Sequence, residues 1–276
     1  LWKILRSFRP GIDKQYFKRM IVYAYPLVFT GLAGVINEMF SRQMLIKWLP
    51  ENFYPGLTNN EAVGIFSAVY KLSIFISLAI QAFRYAAEPF FFAQSGEKDS
   101  KDTFAKVFYY FAIVGSFAVL AVSLNLDILK IPILSNPVYW QGLYVVPILL
   151  VANLFFGAFV NISIWFKITD KTHFGTYISV IGAALTILLN YLLIPILGYF
   201  GSAIATLVVY SYMMIAVYIT GQKHYPVPYN IKAAFVYFAL AMLLMLTGWY
   251  TDSGNAILNQ VIKELLILVY AGVVFY

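Results

Sequence analysis

The chain has 276 residues, 62% of them hydrophobic and only 11% charged, and a mean hydropathy of +0.78. That balance excludes an ordinary soluble globule, because too little polar surface remains to face water. The net charge of +7 needs no nucleic acid: anionic lipid headgroups suffice, and neither a soluble basic domain nor an aromatic stacking motif is present.

Residues 1–19 are a basic lead-in with Lys3, Arg6, Arg9, Lys14, Lys18 and Arg19, interleaved with Trp2, Ile4, Leu5 and Phe8. They read as a cytoplasmic linker, either an amphipathic segment lying on the membrane or a frayed connection. Eight apolar stretches follow, each about long enough to cross a bilayer. They cover roughly 20–40, 62–93, 104–128, 141–166, 174–195, 200–220, 233–250 and 257–276, here spans a to h. Basic residues gather on alternate connections. Lys98, Lys101 and Lys106 lie between b and c, Lys167 and Lys171 between d and e, and Lys223 and Lys232 between f and g. The opposite connections hold only Arg42, Lys47 and Lys130. Thirteen basic residues against three set the N-terminal end and the basic connections in the cytoplasm. The expected fold is an all-α polytopic membrane bundle of about eight transmembrane helices. Because the chain starts at Leu1 with no signal peptide, it is expected to be the C-terminal part of a longer protein.

Polar residues inside the spans carry the functional expectations. In span a, Thr30, Gly34, Glu38 and Arg42 recur at helical spacing; Glu38 is a candidate for holding a coupling ion, against a surface pair with Arg42. Span b is the most informative. At 100° per residue, Tyr70, Ser73, Ser77, Gln81, Arg84 and Glu88 fall within about 80° of one another, so one face of this helix avoids lipid and lines a helix contact or a wet cavity. Arg84 and Glu88, at i and i+4, can pair. Their depth near the cytoplasmic interface leaves open a cavity-mouth role or a simple interfacial anchor. Lys71 lies near the midplane but about 115° from the stripe. A lysine there costs about 2.5 to 3.5 kcal/mol on insertion scales and demands a partner or a water-filled cavity. Asn153, Gly157 and Asn161 in span d, with Gly182, Thr186 and Asn190 in span e, form stripes that mean close packing. The three asparagines can equally bond a neighbouring helix or a sugar hydroxyl.

No Walker loop, H-E-x-x-H or G-x-S-x-G motif is present, and His173 and His224 sit in connections without metal-ligand spacing. No catalytic residue, metal or cofactor is expected, and with no cysteine there is no thiol chemistry.

From span e into f the chain reads N-Y-L-L-I-P-I-L-G-Y-F-G-S-A-I-A-T-L-V-V-Y, with Asn190, Pro195, Gly198, Gly201, Ser202, Thr206 and Tyr210. This resembles the run found in bacterial polysaccharide transporters of the multidrug/oligosaccharidyl-lipid/polysaccharide exporter superfamily. The segment Q-A-F-R-Y-A-A-E-P-F-F-F, from Gln81 to Phe92, is similar to the corresponding helix of oligosaccharide flippases. The resemblance implies a 14-helix, two-bundle transporter, of which 20–221 would be the second six-helix bundle and 222–276 two additional C-terminal helices that in some relatives form a groove for a lipid tail. It implies a flippase for undecaprenyl-pyrophosphate-linked oligosaccharide in the bacterial inner membrane, serving cell-surface polysaccharide such as O-antigen. Lys71 and Arg84 would then contact pyrophosphate, and Gln81, Asn153, Asn161 and Asn190 the sugars. The partners would be the lipid-linked oligosaccharide, membrane lipids and a coupling ion, H+ or Na+, with Glu88 or Glu38 in an ion pair or coupling role. A cation-coupled multidrug exporter of the same superfamily is the main alternative, and a membrane glycosyltransferase or polymerase a more distant one.

Overall fold

A backbone in hydrocarbon must satisfy its own N–H and C=O groups, and every apolar run in this chain does so as a helix. The structure is a computed structural model that describes residues 14–134 and 136–275. The amphipathic segment expected over the first residues lies largely outside them. The helices are α1 (Lys14–Trp48), α2 (Asn59–Gln94), α3 (Ser100–Leu124), α4 (Leu126–Ile133), a 3-10 segment (Pro137–Val145), α5 (Val146–Ile162), α6 (Ile164–Ile168), α7 (His173–Leu197), α8 (Tyr199–His224), α9 (Ile231–Tyr250) and α10 (Ala256–Phe275). No strand occurs among the described residues. Among the described residues six helical segments are long and apolar enough to cross a membrane, and α2 adds a seventh if its arms, Asn59–Ser73 and Phe75–Gln94, form one span bent by 46°. The chain is an all-α, multi-pass membrane helix bundle.

Several boundaries differ from the expected spans for local reasons. Helix α1 starts at Lys14 rather than near residue 20, so part of the basic lead-in is helical. Its 35 residues extend about 52 Å, well beyond a bilayer's apolar core. Span c stops at Leu124, where the Asn125 side chain donates to Ala121 O at 3.1 Å and the chain turns into the short α4. Span d lies within one membrane-length segment, Pro137–Ile168, that is locally irregular. It enters as a 3-10 segment capped by Asn136 with Pro137 in the first turn, and is interrupted at Ser163, whose hydroxyl bonds Val160 O at 2.7 Å. Short polar side chains that bond their own helix compete with its ladder and bend it.

Helix α7 packs between α1 and α8; α5 packs on α8 and also touches α2 and α3; α9 lies along α3, and α10 covers both. Small residues permit the tight contacts. A Cβ on Gly248 of α9 would come within 2.6 Å of Leu124 Cδ2 on α3, so this packing needs glycine. Leu120, Leu124, Ala241, Leu244, Ile267 and Tyr270 form the core that ties α9 and α10 to α3. One residue alone joins α7 to α8. Gly198 adopts φ 60°, ψ −138°, a conformation open essentially to glycine, and it caps both helices. A Cβ on Gly201 would lie 2.5 Å from Leu193 O, so the second glycine of this turn is also required by close backbone approach.

Candidate functional site

The polar stripe of α2 is continuous in sequence but crosses two environments. Its first part is packed: Tyr70 and Ser73 are buried, and the Ser73 hydroxyl bonds Tyr70 O at 2.7 Å beside the bend. Ser77 donates to Asn153 Oδ1 on α5 at 3.2 Å. Past Ser77 the stripe opens, with Gln81 and Arg84 exposed and Glu88 half-buried. The stripe is therefore a helix contact at one end and an open surface at the other.

Arg84 Nε lies 3.0 Å from Glu88 Oε1, and Lys167 of α6 reaches the same oxygen at 2.5 Å. Arg84 belongs to the same helix as Glu88, whereas Lys167 ties α6, just past the Ser163 break, to α2. The Lys167 side chain is only 14% exposed against 45% for Arg84, so the inter-helix pair is the less screened of the two. One carboxylate thus meets two cations, which leaves this end of α2 with a positive excess.

Lys71 is exposed and meets no ion-pair or hydrogen-bond partner among the described residues. At helical spacing it shares its side of α2 with the exposed apolar residues Phe75, Leu78 and Tyr85. By helical spacing Gln81 falls between Lys71 and Arg84, but the 46° bend separates Lys71 from the other two, and Tyr70 and Ser77 in the same angular range are packed against the bundle.

The asparagines divide. Asn153 is buried, accepts from Ser77 and donates to Leu149 O at 2.9 Å, closing α2 on α5. Asn190 is fully buried, accepts from Ser202 Oγ of α8 at 2.8 Å and donates to Thr186 O at 2.8 Å, closing α7 on α8. In both, each end of the amide is engaged within the protein. Asn161 is 2% exposed and its Nδ2 meets no hydrogen-bond partner among the described residues. The Glu38 side chain lies outside the described residues. Arg42 stacks over the Tyr70 ring, 4.8 Å from its centroid, and so links α1 to α2.

Two cavities complete the chemistry. A groove of about 400 Å³ opens between α3, α5, α8 and α9, lined by Phe111, Phe155, Met214, Phe235 and Phe238 among others, with serines 116 and 211 and Tyr218 as its few polar members. It suits hydrocarbon. The second, about 330 Å³, lies where α4 meets the α9–α10 turn and holds Asp127, Lys130, Asn259, Gln260 and Lys263. There the Lys130 ammonium, 2.7 Å from Asp127 Oδ1, and then Lys263 hold the Asp127 carboxyl below the usual carboxylate range against partial burial. No group of three His, Asp or Glu side chains suited to a metal occurs among the described residues.

No family model, curated protein or solved structure matches this chain.

Neither cavity, nor Lys167 as a partner of Glu88, was foreseen in the sequence. Each joins residues far apart in the chain: Lys167 is 79 positions from Glu88, and Lys263 is 136 from Asp127.

Proposed function

We propose that this chain contributes a helix bundle to a flippase that moves a lipid-linked oligosaccharide, on an undecaprenyl-pyrophosphate carrier, across the bacterial inner membrane. The observation that carries this reading is Lys71, an exposed cation with no partner among the described residues, on an otherwise apolar side of a membrane-length helix. Exposed to lipid it costs about 2.5 to 3.5 kcal/mol; an anion in a wet cleft offsets that cost. A carried molecule with a pyrophosphate headgroup supplies the anion. Gln81 and Arg84, exposed on the arm beyond the bend, add donors and a second cation toward the cytoplasmic end that suit sugar hydroxyls and phosphate oxygens.

The apolar groove between α3, α5, α8 and α9 supports the same reading, because a polyprenyl chain needs a hydrocarbon path while its headgroup crosses. Asn153 and Asn190 hold the frame of the bundle in this reading, their amides being engaged. The basic connections face the cytoplasm, and two bundles rock to give alternating access. A cation-coupled drug exporter is less well served: Glu88, the acidic side chain of the open stripe, is already occupied by Arg84 and Lys167.

The test is glycan translocation by the transporter carrying Lys71→Gln. Expression and insertion stay near wild type while translocation at limiting substrate falls by roughly tenfold, the size of one charge-assisted hydrogen bond. Lys71→Arg retains most of the activity because the charge remains. Wild-type transport by Lys71→Gln would overturn the assignment.

A further inference from the structure

At the end of the bundle away from Lys167 and His224, α3 turns at Asn125 into α4, and the α9–α10 turn comes down beside it. The cavity of about 330 Å³ between them has an unusual charge arrangement. Lys130 Nζ lies 2.7 Å from Asp127 Oδ1, and Lys263 Nζ lies 3.0 Å from Oδ2 of the same carboxylate. One anion therefore neutralises one of two cations, and the lining keeps a net charge of about +1. Two further carboxylates stand just outside the lining and keep their charge: Glu264 accepts from the neutral amide of Gln260, and Asp252 accepts from Gly254 N and Asn259 Nδ2; an anion here is therefore held by the two ammonium groups at short range rather than by a broad positive field.

Both lysine side chains are mostly covered, at 19% and 13% exposure, so water compensates them only in part. Each ammonium has three donors, and each makes a single hydrogen bond among the described residues, to Asp127. Lys130 also sits 4.7 Å from the Trp140 ring centroid, a contact that attracts a cation without neutralising it. The rim is amphipathic. Trp249 lines the cavity and is 45% exposed, Tyr250 is 85% exposed, and Ile257 and Val261 continue an exposed apolar face down α10. Exposed aromatics at the ends of apolar helices mark the headgroup level of a bilayer, where lipid phosphates lie.

We propose that this cavity binds the phosphate group of an anionic phospholipid, with Lys130 and Lys263 donating to its free oxygens. The acyl chains run along the exposed apolar faces of α9 and α10. Such a lipid fastens the two last helices to α3 at the membrane surface, and Asp127 holds the two ammonium groups ready without neutralising both. The site is separate from the exposed polar residues of α2 and does not depend on the transport reading.

The test uses the full chain purified in detergent, incubated with phosphatidylglycerol or phosphatidylcholine, with retained lipid counted by native mass spectrometry. Wild type retains phosphatidylglycerol in preference to phosphatidylcholine by roughly tenfold, and Lys130→Gln with Lys263→Gln abolishes the preference. Lys263→Arg keeps it, which separates lost charge from lost fold. Asp127→Asn raises phosphatidylglycerol retention, because both ammonium groups lose their competing anion; a purely structural ion pair requires the reverse. Equal retention of the two lipids by wild type, or an unchanged preference in the double variant, overturns the site. Displacement of phosphatidylglycerol by excess inorganic phosphate assigns the cavity to a free anion and overturns the lipid.

Discussion

Replacing Gly198 by alanine strains the one-residue link between α7 and α8 in two separable ways. The first is conformational: φ 60° with ψ −138° lies in a region that L residues avoid, at a cost of about 1 to 3 kcal/mol. The second is steric. The new Cβ overlaps Tyr54 Oη and comes within 2.8 Å of Phe53 Cε1. Tyr54 cannot withdraw freely, since its ring stacks on Tyr199 at 4.6 Å and its hydroxyl accepts the Tyr199 N–H at 3.2 Å, satisfying an open donor of α8. Losing that bond adds about 0.5 to 1.5 kcal/mol, for a total near 2 to 4 kcal/mol. At about 2 to 4 °C per kcal/mol for a chain of this size, the midpoint should fall by roughly 5 to 15 °C. Thermal unfolding of the detergent-purified protein, followed by tryptophan fluorescence, measures it. Tyr54→Ala removes the obstacle but not the dihedral strain, so the double variant should lose less than the sum of the singles. A midpoint for Gly198→Ala within about 1 °C of wild type would refute the conformational argument, and strict additivity would refute the steric one.

Three further outcomes follow from the same geometry. Lys167→Gln should destabilise the purified protein by about 1 kcal/mol or more, because it breaks a largely buried link between α6 and α2; Arg84→Gln should cost about 0.5 kcal/mol or less, as an exposed pair within one helix, and equal melting shifts would contradict this ranking. Asn190→Ala should cost about 1 to 3 kcal/mol by leaving Ser202 Oγ unpaired in a fully buried contact, and adding Ser202→Ala should recover part of that loss in the same melting assay. Single cysteines at Asp99, His173 and Lys223, all exposed, should be shielded from an impermeant thiol reagent added outside intact cells, while those at Glu51, Asn136 and Ser253 react; outside labelling at Asp99 or His173 would invert the orientation.

Much of the architecture was legible because membrane helices answer to local rules. Length and apolarity are properties of a contiguous segment, so the last four spans, predicted at 174–195, 200–220, 233–250 and 257–276, agree with α7 to α10 to within about four residues at either end. Local pairing was legible too: Arg84 and Glu88 stand one helical turn apart, and their contact follows from spacing. Span d, predicted at 141–166, lies within the membrane-length segment Pro137–Ile168, whose 3-10 entry and local irregularity at Ser163, where the hydroxyl bonds Val160 O, the apolar pattern did not show.

What only the tertiary structure decided is which polar groups remain available. Periodicity put Ser73, Ser77, Gln81 and Arg84 on one face, yet packing against α5 buries or engages the first two and leaves the others open. The sequence allowed Asn153 and Asn190 either a helix contact or a ligand contact; hydrogen bonds from Ser77 and Ser202, 76 and 12 residues away, engage both. Lys130 stands three residues from Asp127, a spacing visible in the sequence, but the second cation, Lys263, 136 residues away, and the four-helix apolar groove have no signature in any window of the chain. Backbone hydrogen bonding and apolar length act over one turn or one span and so are written locally, whereas the partner of a buried polar side chain depends on which helices meet, and that is decided by the packing of the whole bundle.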